Sequence, residues 1–258
     1  MAIVTFMSDF GDEDHYVAAV KGNLLQSERP PSHIVDISHK IRPHDIGHAA
    51  YVLSHAYPHF PKGTIHLVGI DPSDRSKCRT IIAVLDGHIF VGGDTGLFSL
   101  LKKDHLPTVY HVEAKYNTFS TRIVFAPIVG KLLAGAKPAQ LGKQIDDYLQ
   151  LFARQPKVTK REIVGNVIRV DHFGNLVTNI LKSDFETIIN LNGNKGYEVQ
   201  VGLQLFSRFN SSYDEVDSGE CYLIFNSEDK LQIGINKGNG AKLLGLRMDS
   251  PVYIQFQQ

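Results

Sequence analysis

The sequence Ile3-Val4-Thr5-Phe6-Met7-Ser8-Asp9-Phe10-Gly11-Asp12-Glu13-Asp14-His15-Tyr16 decides the fold class of this chain. A strand-like run at residues 3–6 leads into four acidic residues from Asp9 to Asp14, and a helix-like run starts at Tyr16. In an α/β sheet ligands bind at the carboxyl ends of strands, and carboxylates there suit a sugar diol, a metal ion or a cationic group. Because acids also stabilise the start of a helix, a plain helix cap is the competing interpretation.

Length and charge narrow the class of protein. The 258 residues suit one large or two ordinary domains, and 43% hydrophobic residues are enough for a sizeable core. The 27 Lys and Arg residues balance the 27 Asp and Glu residues, so no net field favours nucleic acid or an anionic membrane. We therefore expect neither as a partner.

Cysteine usage and hydropathy indicate the compartment. Cys78 and Cys221 lie far apart in the sequence, which does not support a disulfide framework and favours a reducing environment. The first residues lack the charged and apolar segments of a signal peptide, and no apolar run approaches the ~20 residues of a membrane span. We expect a soluble, cytoplasmic protein.

The pattern of elements predicts two domains. Residues 1–153 alternate strand and helix patterns, which predicts an α/β domain with a mixed or parallel sheet flanked by helices. Residues 154–162 are polar and basic, contain Pro156, and are typical of a linker. Residues 163–258 hold short strand-like runs between Gly, Asn and Ser turns, which predicts a smaller all-β, barrel-like domain.

Individual elements follow from hydrophobic periodicity. Strands are predicted in the first domain at residues 3–6, 34–37, 64–70, 81–85, 89–91 and 109–112, and helices at 16–26, 45–56 and 127–134. Strands are predicted in the second part at residues 162–171, 176–180, 197–201, 221–225, 231–235 and 251–256.

Several polar segments break these local patterns. They are residues 8–16, 70–79, 91–97, 117–122, 170–179, 225–229 and 236–240. Each of them alone is equally typical of a tight turn, a hairpin or a helix cap. The acidic segment also lacks the twelve-residue spacing of a calcium loop, so we expect no metal.

Taken together and in order, the motifs resemble those of one family along nearly the whole chain. They are Ser8-Asp9-Phe10-Gly11, Asp36-Ile37-Ser38-His39, Phe60-Pro61, Asp71-Pro72, Asp94-Thr95-Gly96-Leu97, Phe125-Ala126-Pro127, Asp171-His172-Phe173-Gly174-Asn175 and Asn226-Ser227. The family is that of the S-adenosyl-L-methionine (SAM) hydroxide adenosyltransferases, the SAM hydrolases related to fluorinase and chlorinase. The resemblance implies an N-terminal α/β domain, a C-terminal β-barrel and a homotrimer whose active site lies between neighbouring subunits. It implies SAM as substrate, adenosine and methionine as products, and no cofactor.

The resemblance also implies which residues bind the nucleoside. It places Asp14 at the ribose 2′- and 3′-hydroxyls, where one carboxylate can accept from two adjacent donors. It places Phe173 and Asn175 against the adenine, and Asn239 and Gly240 at the edge of the base.

Further binding positions follow from the same motifs. Asp171 and Ser227 match the positions that hold the ammonium and carboxylate of methionine. Asp94 and Phe119 are two more implied substrate-binding residues. Thr121 matches the position that lines the halide pocket in fluorinase.

The catalytic positions depart from the family pattern. Asp71 matches the acid that the halogenases replace with tyrosine, which favours a hydrolase. Cys78 stands where the hydrolases have arginine, so the neighbouring Arg75 and Arg79 are the candidate replacements. Ser120 stands where they have histidine, and a hydroxyl does not serve as an acid or base near neutral pH. The implied catalytic set is therefore Asp71, Arg75, Arg79, Ser120 and Thr121.

Three functions stay open at this point. The first is hydrolysis of SAM to adenosine and L-methionine, by in-line attack of water or hydroxide on the ribose C5′. The second is a SAM- or adenosine-binding sensor or binder without useful turnover, because Cys78 and Ser120 replace catalytic residues. The third is the attack of a different nucleophile on the same scaffold.

Overall fold

The computed structural model describes residues 2–70, 78–102, 105–115 and 117–257. The chain folds as two compact units, Met1–Ala153 and Arg154–Gln258. Among the described residues, no helix is both long enough and apolar enough to cross a membrane.

The N-terminal unit is built on a mixed seven-stranded sheet. Its strands are β1 (Ile3–Ser8), β2 (His33–Ser38), β3 (Ile65–Gly69), β4 (Thr80–Leu85), β5 (His88–Gly93), β6 (Thr108–Val112) and β7 (Lys143–Ile145), in the order β2-β1-β3-β5-β4-β6-β7. Strands β2, β1, β3 and β5 run parallel, whereas β4, β6 and β7 join by antiparallel pairing. Asp86 and Gly87 connect β4 to β5 with φ of 52° and 85°, a turn that matches the twist of a hairpin.

Helices cover both faces of this sheet. They are α1 (Tyr16–Leu25), α2 (Ile46–Ala56), α3 (Ala126–Leu133) and α4 (Pro138–Leu141), with single 3-10 turns at Tyr57–His59 and Leu97–Leu100 and a π-helical turn at Thr121–Phe125. Alternate residues of a strand face opposite sides, so Phe6 packs with α1 and α3 while Met7 packs with α2. Burial on both faces explains why the strands read as nearly continuous apolar runs.

The C-terminal unit is a curled, antiparallel, barrel-like sheet. Its strands are β8 (Lys157–Val158), β9 (Glu162–Val170), β10 (Leu176–Leu181), β11 (Tyr197–Val201), β12 (Gln204–Phe206), β13 (Cys221–Phe225), β14 (Lys230–Ile235) and β15 (Pro251–Phe256). The order is β12-β11-β15-β9-β10-β14-β13, and β8 adds to β9. Helices α5 (Lys182–Leu191) and α6 (Gly240–Leu243) complete it. The predicted fold class, an α/β domain followed by a smaller β-barrel-like domain, is confirmed.

One core fills the C-terminal unit, and Asn210 covers one position at an edge of its sheet. Ile163, Leu176 and Leu223 are fully buried in that core. At the outer edge of β13, Asn210 N–H donates to the Leu223 carbonyl at 2.7 Å, and Leu223 N–H donates to Asn210 Oδ1 at 3.2 Å. Asn210 therefore occupies both free backbone groups of that strand residue.

Candidate functional site

A cavity of about 280 Å³ lies at the carboxyl edge of the parallel part of the N-terminal sheet. Its wall is formed by the residues after β1 and β3, the start of α1, the loop before α2 and the loop before the π-helical turn. The lining residues are Asp9, Phe10, Tyr16, Pro43, His44, Ile70, Asn117, Thr118, Phe119, Ser120 and Thr121. This edge is where open α/β sheets bind their ligands.

Three aromatic rings form one wall of the cavity. The ring centroids of Phe10 and Tyr16 are 6.0 Å apart, those of Phe10 and Phe119 5.9 Å, and those of Tyr16 and Phe119 5.4 Å. The Tyr16–Phe119 pair is nearly perpendicular, at 88°. Edge-to-face contacts of this kind hold an apolar surface rigid.

Thr121 reaches the end of β3 because that strand ends in glycine. A Cβ on Gly69 would lie 2.9 Å from both Oγ1 and Cγ2 of Thr121, and 3.2 Å from the ring of Phe10. Thr121 is only 5% exposed and begins the π-helical turn. Such turns are rare and recur at functional sites.

The hydroxyl of Ser120 closes its own loop. Ser120 Oγ accepts the N–H of Asn117 at 2.8 Å and donates to the Asn117 carbonyl at 3.0 Å. Both hydrogen bonds are local, and the side chain is buried. Ser120 therefore lines the cavity, and its oxygen holds the turn that presents Phe119 and Thr121.

Asp9 and His44 are coupled at another part of the wall. The His44 N–H donates to Asp9 Oδ2 at 3.0 Å. His44 has a φ of 61°, a left-handed conformation that is uncommon outside glycine. Asp14, by contrast, is exposed in the loop before α1 and does not line this cavity.

Arg79 and Asp94 bind each other instead of lining the cavity. Arg79 Nε and Nη2 donate to Asp94 Oδ2 at 3.0 and 2.8 Å, and Nη1 lies 3.1 Å from both carboxylate oxygens of Asp147. Asp94 Oδ1 accepts the N–H of Leu149 at 2.9 Å. These contacts hold residues 147–149 against the end of β5. The other two predicted catalytic residues, Asp71 and Arg75, lie outside the described residues.

A second cavity, of about 550 Å³, lies in the C-terminal unit. Its lining residues are Asp171, Phe173, Asn175, Tyr213, Tyr222, Gln232, Ile235, Asn236, Lys237, Gly238 and Asn239. Four of the predicted substrate-binding residues are thus brought together, since Asp171, Phe173, Asn175 and Asn239 all belong to this wall.

Hydrogen bonds fix Asn175 within that wall. Its backbone N–H and its Nδ2 donate to the two carboxylate oxygens of Asp171, at 2.8 and 2.9 Å, and its Oδ1 accepts from the Tyr222 hydroxyl at 2.8 Å. Burial raises the pKa of Tyr222 to about 12, so the phenol remains a donor at neutral pH. The amide of Asn175 is held in one orientation.

The loop before α6 packs on the same turn. Gly174 has a φ of 87°, and a Cβ there would lie within 2.4 Å of the Asn239 side chain. The Gly174 carbonyl accepts the N–H of Ala241 at 2.8 Å, and Asn239 caps α6 by accepting the N–H of Lys242 at 3.0 Å. Gly240, the first residue of α6, is buried. Phe173 is 74% exposed, so its ring face is available to a planar ligand.

The remaining predicted residue, Ser227, lies apart from this wall. It is exposed in the turn between β13 and β14 and does not line the C-terminal cavity. Within the described ranges, no group of three or more His, Cys, Asp or Glu side chains is placed to hold a metal ion.

Comparison with known proteins identifies the family. The chain matches the model of the SAM hydroxide adenosyltransferase N-terminal domain over residues 4–142 and that of the C-terminal domain over residues 165–253. The chain belongs to the SAM hydroxide adenosyltransferase family.

Relatives within the family are named for two activities. The chain is 32% identical to an (R)-S-adenosyl-L-methionine hydrolase of Thermus thermophilus, over 98% of this chain and 99% of the relative. It is 33% identical to one of Methanocaldococcus jannaschii, over 95% and 92%. It is 28% identical to a fluorinase of Nocardia brasiliensis, over 72% and 73%.

A solved structure shares the same fold. An uncharacterised conserved protein from Thermotoga maritima superposes with a TM-score of 0.85 at 27% identity, over 98% of this chain and all of that one. The family and fold predicted from the sequence motifs are both confirmed.

Sequence reasoning overlooked three side chains of the N-terminal cavity. Asp9, Tyr16 and His44 are absent from the binding and catalytic residues that the resemblance implies. Asp9 directly follows β1, a position that could have favoured it over Asp14. For His44 no local signal exists, because Pro43 and Asp45 make it look like part of a helix start.

Proposed function

We propose that this member of the SAM hydroxide adenosyltransferase family hydrolyses SAM to adenosine and L-methionine. The observation that carries the proposal is the N-terminal cavity, where aromatic walls, a carboxylate and the buried Thr121 meet at the ligand-binding edge of the sheet. The (R)-SAM hydrolases that match nearly the whole chain support it. Thr121, Phe119 and Asp9 are the residues we assign to the reaction site.

The reaction is an in-line displacement at the ribose C5′. The oxygen of water forms a bond to C5′, and the C5′–S bond breaks with its electron pair going to sulfur. Methionine leaves as a neutral thioether, so no general acid is needed. The site has to align water, C5′ and sulfur and to keep the water partly desolvated, which together are worth several kcal/mol.

In the N-terminal cavity we assign the ribose diol to Asp9. A carboxylate can accept hydrogen bonds from two adjacent hydroxyls, and Asp9 is the acid of the opening segment that lines the cavity. The predicted role of Asp14 stays a prediction beside it. The rings of Phe10 and Phe119 then face the sugar, and the Thr121 hydroxyl contacts the attacking water.

In the C-terminal cavity we assign the adenine to Phe173, Asn175 and Asn239. The exposed ring of Phe173 is suited to stacking on a base, while fixed amides read its edge. Both carboxylate oxygens of Asp171 accept hydrogen bonds from Asn175, so we assign Asp171 first to positioning that amide. Its predicted contact with the methionine ammonium, and that of Ser227 with the carboxylate, stay predictions.

We also propose that the protein acts as a homotrimer, with each active site formed by the N-terminal domain of one subunit and the C-terminal domain of its neighbour. The two cavities lie in different units, and our assignment of the ribose to one and of the adenine to the other supports this arrangement. We propose that the protein acts in the cytoplasm. We also propose that it needs no cofactor or metal and binds neither nucleic acid nor a membrane.

A second candidate function is nucleoside or SAM binding without useful turnover. Two observations favour it. The Ser120 hydroxyl is committed to Asn117, and the Arg79 guanidinium is committed to Asp94 and Asp147. Ser120 and Arg79 stand at or near the positions expected to act on water, and both side chains instead stabilise the local structure.

Incubation of the purified protein with SAM, followed by chromatography for adenosine and methionine, tests the proposal. We expect Asp9→Asn to lower kcat/KM by about 10- to 100-fold, because a charged hydrogen bond to a diol is worth roughly 1.5–3 kcal/mol. Asp14→Asn is the matched comparison, because Asp14 is the alternative acid for the diol; if Asp9 holds the diol, Asp14→Asn changes kcat/KM by less than about threefold.

The other outcomes have clear meanings. A fall in kcat/KM in Asp14→Asn but not in Asp9→Asn would show that Asp14 binds the ribose diol. Adenosine that does not depend on Asp71, checked with Asp71→Asn, removes that residue from the catalytic set. Tight SAM or adenosine binding without product selects the second candidate function, and absence of both binding and product contradicts both.

A further inference from the structure

Hydrolysis of SAM releases a proton, and the expected acceptor is missing. When water attacks C5′ and the sulfonium leaves as a thioether, the former water carries a proton that must be removed. Ser120 stands where the resemblance implies a histidine. Its hydroxyl accepts a hydrogen bond from the Asn117 N–H and donates one to the Asn117 carbonyl. Asp71 lies outside the described residues, and among the described residues of the same cavity another group can take the proton.

We propose that His44 is that acceptor and therefore a catalytic residue; this inference rests on the proposed SAM hydrolysis. His44 lines the same cavity of about 280 Å³ as Thr121, so both residues border the space in which the attacking water has to lie. An imidazole is the side chain that most often serves as a general base near neutral pH.

The backbone around His44 is fixed in an unusual way. Its φ of 61° is a left-handed conformation that strains a residue with a Cβ, and such conformations cluster at functional sites. The Asp9 carboxylate holds its N–H at 3.0 Å. The next residue, Asp45, caps α2 by accepting the N–H of His48 at 2.8 Å. Strand β1 and helix α2 thus fix the position of His44 from both sides.

The charged and titratable neighbours of His44 come from three elements. Asp9 follows β1, and Tyr16 begins α1; both line the cavity with it. Arg42 and Asp45 flank it in the chain and pair with each other at 3.0 Å. Asp9 is assigned to the ribose diol, and His44 supplies the imidazole among the described residues that line the cavity.

Proton transfer to His44 accompanies the displacement at C5′. The water oxygen bonds to C5′ as the C5′–S bond breaks, and the water proton passes to an imidazole nitrogen of His44, directly or through one intervening water. His44 is exposed at the mouth of the cavity, so the imidazolium returns its proton to solvent after adenosine and methionine have formed.

The test compares His44→Asn with the wild-type protein. Asparagine adopts a positive φ readily, so the backbone is kept while the titrating group is removed. We expect kcat to fall by about 10²- to 10⁴-fold and the acidic limb of the kcat–pH profile to disappear, while the Kd for adenosine changes by less than about threefold. His44→Gln is the second variant, and retained adenosine binding shows that both variants fold.

His59→Asn is the matched control, because His59 is exposed and does not line the cavity. We expect it to keep both kcat and the acidic limb. The inference is overturned if His44→Asn keeps them too, or if adenosine affinity falls as much as kcat, which would make His44 a binding residue. Absence of adenosine from the wild-type protein overturns the proposed function together with this step, whereas activity without His44 overturns this step alone.

Discussion

His66 lies on β3, with no solvent exposure. Its Nδ1 is 2.7 Å from Thr5 Oγ1, its Nε2 is 3.1 Å from His88 Nδ1, and its ring stacks on Phe90 at 4.8 Å. Desolvation, helped by the neighbouring His88, lowers the pKa of His66 to about 3. The imidazole is therefore neutral in the folded protein.

This lowered pKa predicts a pH-dependent stability. The unfolded chain takes up a proton below the ordinary value of 6.5, whereas the folded state does not until about pH 3. Stability is therefore fully present above 6.5 and is lost as the pH falls towards 3, by a few kcal/mol. Urea unfolding measured from about pH 7 to about pH 4 should show this slope, and His66→Gln should flatten it. An unchanged slope in the variant would assign the effect to other groups.

Single residues also show where sequence reasoning reached its limit. The position of Asp9 directly after β1 is a weak sequence signal, and the fold shows that Asp9 lines the cavity whereas Asp14 is exposed. Arg79 was a candidate catalytic cation, yet it pairs with Asp147, which is distant in the sequence. Contacts between residues so far apart follow from topology and leave no local pattern.

At the scale of elements, the turn between β9 and β10 depends on a tyrosine from β13. The Tyr222 hydroxyl is the donor that the Asn175 Oδ1 accepts, so a neighbouring strand sets the orientation of the amide. The Asp171 carboxylate holds the other end of the same amide. The adenine-reading group is thus positioned by two elements at once.

We predict that Tyr222→Phe weakens adenosine binding about fivefold, because losing one buried hydrogen bond costs about 1 kcal/mol and lets the amide rotate. Calorimetric titration with adenosine measures the effect. Tyr253→Phe is the matched control, since Tyr253 lies on β15 and does not line the cavity. Unchanged affinity in Tyr222→Phe would show that the Asp171 carboxylate alone fixes the amide.

Most elements were predictable because their patterns are strong and local. The buried strands of the N-terminal sheet read as apolar runs, and α2 showed both a cap and helical spacing. Helix α5 was missed although Phe185, Ile188 and Ile189 follow helical spacing, because the helix has no side-chain cap and its first three residues are polar. Strands β7, β8 and β12 are too short to show alternation. Strand order was not predictable, since pairing is set by packing between distant segments.

At the scale of the whole molecule, the proposed trimer makes a quantitative prediction. Co-expression of Asp9→Asn subunits with Asn175→Ala subunits gives mixed trimers. If each site takes its two halves from neighbouring subunits, about a quarter of the sites in a random mixture carry both halves intact. Activity should then recover to about a quarter of the wild-type value.

Sites contained within one subunit would give a different result. Every subunit of the mixture carries one inactivating change, so no site would be intact and activity would stay at the level of the single variants. Each variant expressed alone is the control. A single species with three times the mass of the chain, measured by sedimentation, checks the assembly itself.

The contact of Asn210 with β13 also affects how the molecule behaves at high concentration. An outermost strand with free backbone groups is a template onto which a strand of another molecule can add. Here the outward N–H and carbonyl of Leu223 are already bonded to Asn210. An incoming chain would have to displace that asparagine before it could extend the sheet. The backbone N–H and the side-chain oxygen of Asn210 therefore block strand addition at this point of the edge.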